Sequence, residues 1–147
     1  MKILDVVIII LFDPTSRFLL QHRTKDAELL PDHWAFFGGA IDEGEEPMQA
    51  LRREALEELA YDLQAPRFVF ERDFVEGGVS GHMRIFVEKF FGDKSSLRLH
   101  EGQGWGWYNE EEIKPLKMVD RDRETLKRVM VFMRGGERDC SAEICKN

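Results

Sequence analysis

Cysteine is almost absent. Cys140 and Cys145 are the only two, and both fall in the last eight positions of a 147-residue chain. Two thiols build neither a four-ligand zinc cluster nor a disulfide framework, so the expectation is a pair of free thiols in a reducing cytoplasm. A basic surplus is missing too. The 21 Lys and Arg are outnumbered by 28 Asp and Glu, for a net charge of −7. That excludes the basic footprint of a nucleic-acid polymer binder. It does not exclude a nucleotide, because a bound metal supplies positive charge. Long apolar runs are missing as well. Val6 to Phe12 is short, with no extended basic flank and no small-residue cleavage site, so it reads as a strand and not as a signal or membrane span. Repeats and low-complexity stretches are lacking. His22, His33, His82 and His100 show no zinc-like spacing.

What is present is an ordinary globular composition, 43% hydrophobic, in a length that suits one domain with a real core. The expected domain is 1–136, with 137–147 as a weakly ordered tail. Ile3 to Phe12 reads as a buried strand, Asp13 to Ser16 as a turn, and Phe18 onward as a second strand running toward Arg23. Lys25 to Asp32 is a polar loop. Trp34 to Phe37 is a short strand delivering the chain to Gly38, where a glycine pair opens a loop. Phe68 to Val75 and Met83 to Phe91 are two further strands. The glycine-rich link Glu76 to Gly81 between them is a lid or a hairpin tip. Gly104 to Tyr108 is a strand, and Asn109 caps a short helix stopped by Pro115. A last helix starts at Asp120 or Asp122 and ends at Gly135 and Gly136. Strands and helices mix in an α+β pattern, a sheet packed between helices.

Residues 38–61, GGAIDEGEEPMQALRREALEELAY, carry the chemistry. Pro47 suits a first helical turn, and the Ala, Leu, Glu and Arg that follow are strong helix formers. At roughly 100° per residue, Met48, Leu51, Ala55 and Leu59 share one stripe. Glu54, Glu57 and Glu58, at i, i+3 and i+4, share another face. Three crowded carboxylates are either a solvated acidic surface or a metal site. The glycine-rich approach, with close backbone access at Gly38 and Gly39, favours a site for a hard, oxygen-seeking cation such as Mg²⁺ with substrate phosphates.

This segment resembles the Nudix box, G-x5-E-x7-R-E-hydrophobic-x-E-E-x-G-hydrophobic. Gly39, Glu45, Arg53, Glu54, Glu57 and Glu58 fall in register, while Ala60 stands where the pattern has its late glycine. The resemblance implies a MutT-like Nudix hydrolase with a Nudix-type α/β/α sandwich and a mixed sheet, extending from about residue 3 to 134. It also implies roles. Glu54, Glu57 and Glu58 match divalent-metal ligands, joined by Gly39, with Mg²⁺ or Mn²⁺ as the cofactor. Arg53 matches the arginine that orients the glutamates, and Glu45 the residue that holds the loop to the helix. Gly38 and Gly39 would lie against the substrate.

Outside the box, Glu101-Gly102-Gln103 resembles the E-G-Q stretch of MutT-type relatives, making Glu101 a further metal ligand or the general base. The resemblance implies that Arg23 stands where the family places a phosphate-binding arginine, the alternative being a surface arginine. It likewise implies that Asp122, or Asp120, lies in the region from which MutT-like enzymes contact the nucleobase, the alternative being a cap on the last helix. Phe36 and Phe37 read as packing against the sheet. The implied activity is metal-dependent pyrophosphohydrolysis of a nucleoside diphosphate linked to another group, with a small-molecule nucleotide as partner and a monomer or homodimer as the assembly. Within it, a nucleoside triphosphate, normal or oxidised, is favoured over ADP-ribose or a nucleotide sugar. A non-catalytic nucleotide sensor is the rival from another class.

Overall fold

The computed structural model describes residues 2–100 and 102–137. They fall into two compact units, one ending at Lys117 and the other starting at Met118. In the first, one mixed sheet is built from β1 (Lys2–Phe12), β2 (Phe18–His22), β3 (Trp34–Ala35), β4 (Phe37–Ala40), β5 (Arg67–Glu76), β6 (Val79–Lys89) and β7 (Gly104–Tyr108). Helix α1 (Pro47–Leu59) follows β4, and the short α2 (Glu110–Ile113) follows β7. The second unit is organised by α3 (Asp120–Glu137).

β1 is rich in β-branched residues and runs through the middle of the sheet, in the path β3-β2-β1-β6-β5. It pairs in parallel with β6 along its whole length, from Lys2 opposite Val79 to Phe12 opposite Lys89. It also pairs antiparallel with β4, Val7 opposite Gly39 and Ile8 opposite Gly38. β7 joins through β2, with Gln21 opposite Trp105. The side chains of Val7, Ile9 and Leu11 point to the face that Leu51, Ala55 and Leu59 of α1 cover. Met48 packs at the margin of the same cluster, so the expected helical stripe is the buried one. A fully buried Leu such as Leu51 contributes about 2–3 kcal/mol here.

Both ends of α1 are fixed locally. Pro47 occupies the first turn, and Gln49 Oε1 accepts from the Glu46 amide at 2.7 Å. At the other end Ala60 adopts φ 56°, ψ 37°. Its amide donates to Leu56 O at 3.0 Å, and the Tyr61 amide donates to Ala55 O at 3.3 Å. The first is the 5→1 bond of an αL cap, which places one residue in the left-handed region. Just beyond, the buried Glu88 of β6 accepts from the amides of Gln64 at 3.0 Å and Ala65 at 2.8 Å, and from the Tyr61 hydroxyl. A single carboxylate thereby satisfies the chain as it leaves the helix.

Four expectations need correction. Trp34–Phe37 is not one strand, because it breaks at Phe36, whose carbonyl accepts from the Gln21 side chain at 3.1 Å. The glycine pair does not open a loop. Gly38 and Gly39 lie within β4, where a Cβ on Gly38 would sit 2.1 Å from Val7 O. The link between β5 and β6 shrinks to Gly77-Gly78, because Glu76 already pairs with Val79, which makes it a hairpin tip. Finally, α3 runs through Gly135 and Gly136 to Glu137. Glycine permits a left-handed cap without imposing one. The cysteines and the rest of the expected tail, 138–147, lie outside the described residues.

Candidate active site

β4 and α1 build the site together. Gly39 lies under Glu54, and a Cβ there would stand 2.4 Å from the Glu54 carboxylate. Only a glycine lets that carboxylate lie on the strand. One turn further along α1, Glu58 is buried, and its Oε1 accepts from the Gly38 amide at 3.2 Å. Glu54 and Glu58, at i and i+4, lie beside each other on one helix face. Burial lifts the Glu54 carboxyl above its ordinary range, and the neighbouring Glu57 charge adds to this. The Arg53 guanidinium only partly opposes it.

Arg53 ties the loop to the helix. Its Nε donates to Glu45 Oε2 at 2.7 Å, and Nη2 donates to Glu45 Oε1 at 2.9 Å and Ala40 O at 3.0 Å. Its Nη1 reaches Glu54 Oε2 at 2.8 Å and the exposed Glu57 at 3.4 Å. The bidentate grip on Glu45 is the strong geometry for this pair. It is the first cause that holds the Glu45 carboxyl down at about 2, with the Asp42 amide as the second. Arg53 thus contacts Glu45, Glu54 and Glu57, the residues that the expected orienting and loop-holding roles concern.

The remaining candidates are placed unevenly. Glu101 lies outside the described residues, but its neighbours are close to the helix glutamates. The His100 amide donates to Glu58 O at 3.1 Å, and its Nδ1 donates to Glu57 O at 2.5 Å. The Gln103 amide donates to His22 O at 2.7 Å. Arg23 follows the end of β2, with its Nε on Leu29 O at 2.7 Å. Asp122 belongs to the second unit, where it is buried in the first turn of α3 beside the exposed Asp120. Phe36 and Phe37 are buried, as packing residues should be. Sequence reasoning missed Gln21, buried in β2, whose amide fixes the break that delivers Gly38. The signal was a lone amide closing an apolar run. It also missed His100 as the residue bonded to the end of α1.

The profile of the NUDIX domain matches residues 2–129. The chain belongs to the Nudix hydrolase family. Among its relatives is the CTP pyrophosphohydrolase of Escherichia coli K12, 28% identical over 133 residues that span 90% of this chain and 95% of that one. The solution structure of the E. coli ORF135 protein superposes with a TM-score of 0.74 at 26% identity, covering 97% and 96% of the two chains. The NUDIX domain of Shewanella oneidensis NrtR, solved with ADP-ribose, has a TM-score of 0.76 at 13% identity and 90% coverage of each chain. That last likeness shows the fold alone, which is the α/β/α sandwich with a mixed sheet.

Nudix hydrolases generally need divalent metal ions. The donor set of this one fits such an ion. Two carboxylates converge at the Gly39 cradle with Arg53 as the neighbouring positive charge, an arrangement that a hard cation stabilises. Among the described residues no three His, Cys, Asp or Glu side chains already converge as a finished cage. Glu54 and Glu58 meet, while Glu57 is turned to Arg53. No described helix is long and apolar enough to cross a membrane.

Proposed function

We propose that this Nudix hydrolase cleaves a nucleoside triphosphate, normal or oxidised, to the monophosphate and inorganic pyrophosphate, with Mg²⁺ or Mn²⁺. The observation behind it is the Glu54–Glu58 pair on the Gly39 cradle, locked by Arg53. The choice of triphosphate is supported by end-to-end likeness to a CTP pyrophosphohydrolase.

In this reading Gly39, Glu54, Glu57, Glu58 and Glu101 hold the metal. When bound, it neutralises the phosphate oxygens and lowers the pKa of a coordinated water. Arg53 keeps Glu54 in place, and the Gly38 amide keeps Glu58 in place. Arg23 receives phosphate oxygens through its fork of N–H donors. A water oxygen joins phosphorus as the α–β bridging bond breaks. Glu101 is the candidate to take the proton or to ligate the metal.

A substrate panel tests the reading: dGTP, 8-oxo-dGTP, dATP, CTP, ADP-ribose and a nucleotide sugar, each with Mg²⁺ and with Mn²⁺, and products separated by chromatography. Pyrophosphate and a monophosphate are the expected products. A preference of about a hundredfold in kcat/KM, roughly 2.7 kcal/mol in transition-state binding, for ADP-ribose or the sugar would replace the triphosphate by a conjugate. No turnover with any of them would leave a sensor.

A further inference from the structure

The loop between β2 and β3, residues 23–33, holds two non-glycine residues in the left-handed region, Leu30 at φ 51° and Asp32 at φ 61°. Backbone of that kind persists only where surrounding contacts over-determine it. The loop closes on itself: the Thr24 carbonyl accepts from the amides of Asp32 at 3.0 Å and Ala27 at 3.3 Å, and the Arg23 amide donates to His33 O at 2.8 Å. Its anchor is the Asp32 carboxylate. Oδ1 accepts from His22 Nε2 at 2.9 Å and from Gln103 Nε2 at 3.1 Å, and Lys117 Nζ stands 3.8 Å from Oδ2. His22 is itself fixed by Trp34, stacked on it at 4.9 Å with 6° between the rings. Gln103 also donates to the Arg23 carbonyl at 2.8 Å. Three neighbours from separate segments therefore converge on one strained residue.

What this loop positions is Arg23. The loop's Leu29 carbonyl accepts the Arg23 Nε hydrogen at 2.7 Å. Among the described residues no bond from the two Nη nitrogens accompanies it. A guanidinium held by Nε has its orientation set while the outer N–H groups point away to meet an anion.

We propose that Asp32, gripped by His22, Gln103 and Lys117, is a positioning residue that locks the 23–33 loop so that Arg23 is presented preformed to substrate phosphate. The proposal rests on the reading of Arg23 as a phosphate contact. It adds that the contact is preorganised, so the binding energy is not spent on ordering the loop.

The test is a mutant cycle in the full-length enzyme with dGTP and Mg²⁺, together with calorimetric Kd values for α,β-methylene-dGTP. Asp32→Gly keeps the left-handed backbone and removes the anchor. It should raise KM and the analogue Kd about three- to tenfold, the range for releasing one ordered side chain, with kcat within about twofold. Asp32→Asn keeps an acceptor oxygen and tolerates the left-handed region, so it should restore most of the affinity. In an Arg23→Ala background, Asp32→Gly should add nothing further, because its effect passes through Arg23. An Asp32→Gly enzyme with wild-type KM and Kd, beside an Arg23→Ala enzyme with raised values, overturns the clamp and leaves the Arg23 contact standing. An equal loss from Asp32→Gly with and without Arg23 also overturns it, since a merely structural role behaves that way. Arg23→Ala with unchanged KM and Kd removes the phosphate contact, and the clamp with it.

Discussion

Replacing Ala60 by glycine should make the protein more stable. Ala60 closes α1 at φ 56°, ψ 37°, with its amide on Leu56 O. A Cβ in that region approaches the following carbonyl, at a cost of roughly 1–2 kcal/mol. Glycine removes the cost and keeps the cap bond, which involves backbone only. Two terms oppose the gain. Glycine adds unfolded-state entropy, about 0.4–1 kcal/mol. The lost methyl gives up burial, but Ala60 is exposed and that term is small. The balance is a gain of about 0.5–1 kcal/mol. For a chain of this size that raises Tm by about 1–4 °C. Urea unfolding followed by fluorescence of Trp34, Trp105 and Trp107 reads it directly, as a higher midpoint at unchanged slope. A midpoint that stays put or falls would refute the argument. It would mean that the cap is not strained, or that the methyl does more than its exposure allows.

Glu58→Gln preserves an oxygen for the Gly38 amide and removes the charge, so the variant should fold and turn over about a hundredfold or more slowly. Near-native kcat in a folded variant would remove Glu58 from the metal site. Asp13 supplies a pH signature. Burial raises its pKa, but the Lys94 ammonium at 2.6 Å and the bonds from Arg17 and Thr15 outweigh burial and bring it to about 2. A depressed carboxyl stabilises the fold above its unfolded pKa, and that stability is lost as pH falls through the folded one. The stability difference between wild type and Asp13→Asn should therefore shrink by about 2 kcal/mol from pH 5 to pH 2. A difference independent of pH would show that Asp13 is not held as an ion.

Much of this was legible in residue order because local physics sets it. The β-branched run of β1, the stripe of α1 and the Asn109 cap are periodic or capping signals, and each appears where its pattern falls. The box register brought Arg53 to Glu57 because an i, i+4 offset is what one helix turn can reach, while Glu45, eight residues back and off the helix, is gripped across the loop. The misreadings share a cause. Gly38, Gly39, Gly135 and Gly136 read locally as chain breaks, yet each sits inside a regular element. Glycine at 38 and 39 answers a tertiary demand, the approach of β1 and of Glu54, which no local window contains. Gln21 and Asp32 escaped notice for the same reason. Their partners lie 15 residues away at Phe36 and 71 away at Gln103. The pairing of β7 with β2, and of β1 with β6, is likewise set by packing across the chain.

The parallel register of β1 and β6 also bears on how the chain is made. Lys2 pairs with Val79 and Phe12 with Lys89, so the earlier of the two strands is completed by one synthesised much later. At about 5–20 residues per second, roughly 80 residues of translation separate them by about 4–15 s. During that interval β4 and α1 emerge and can cover one flank and one face of β1. The flank destined for β6 keeps its row of amides and carbonyls unpaired beside Val6, Ile8 and Ile10. The newborn chain therefore carries an open, apolar sheet edge until ribosomal synthesis passes Lys89, and that edge is where a misassembled pairing would begin.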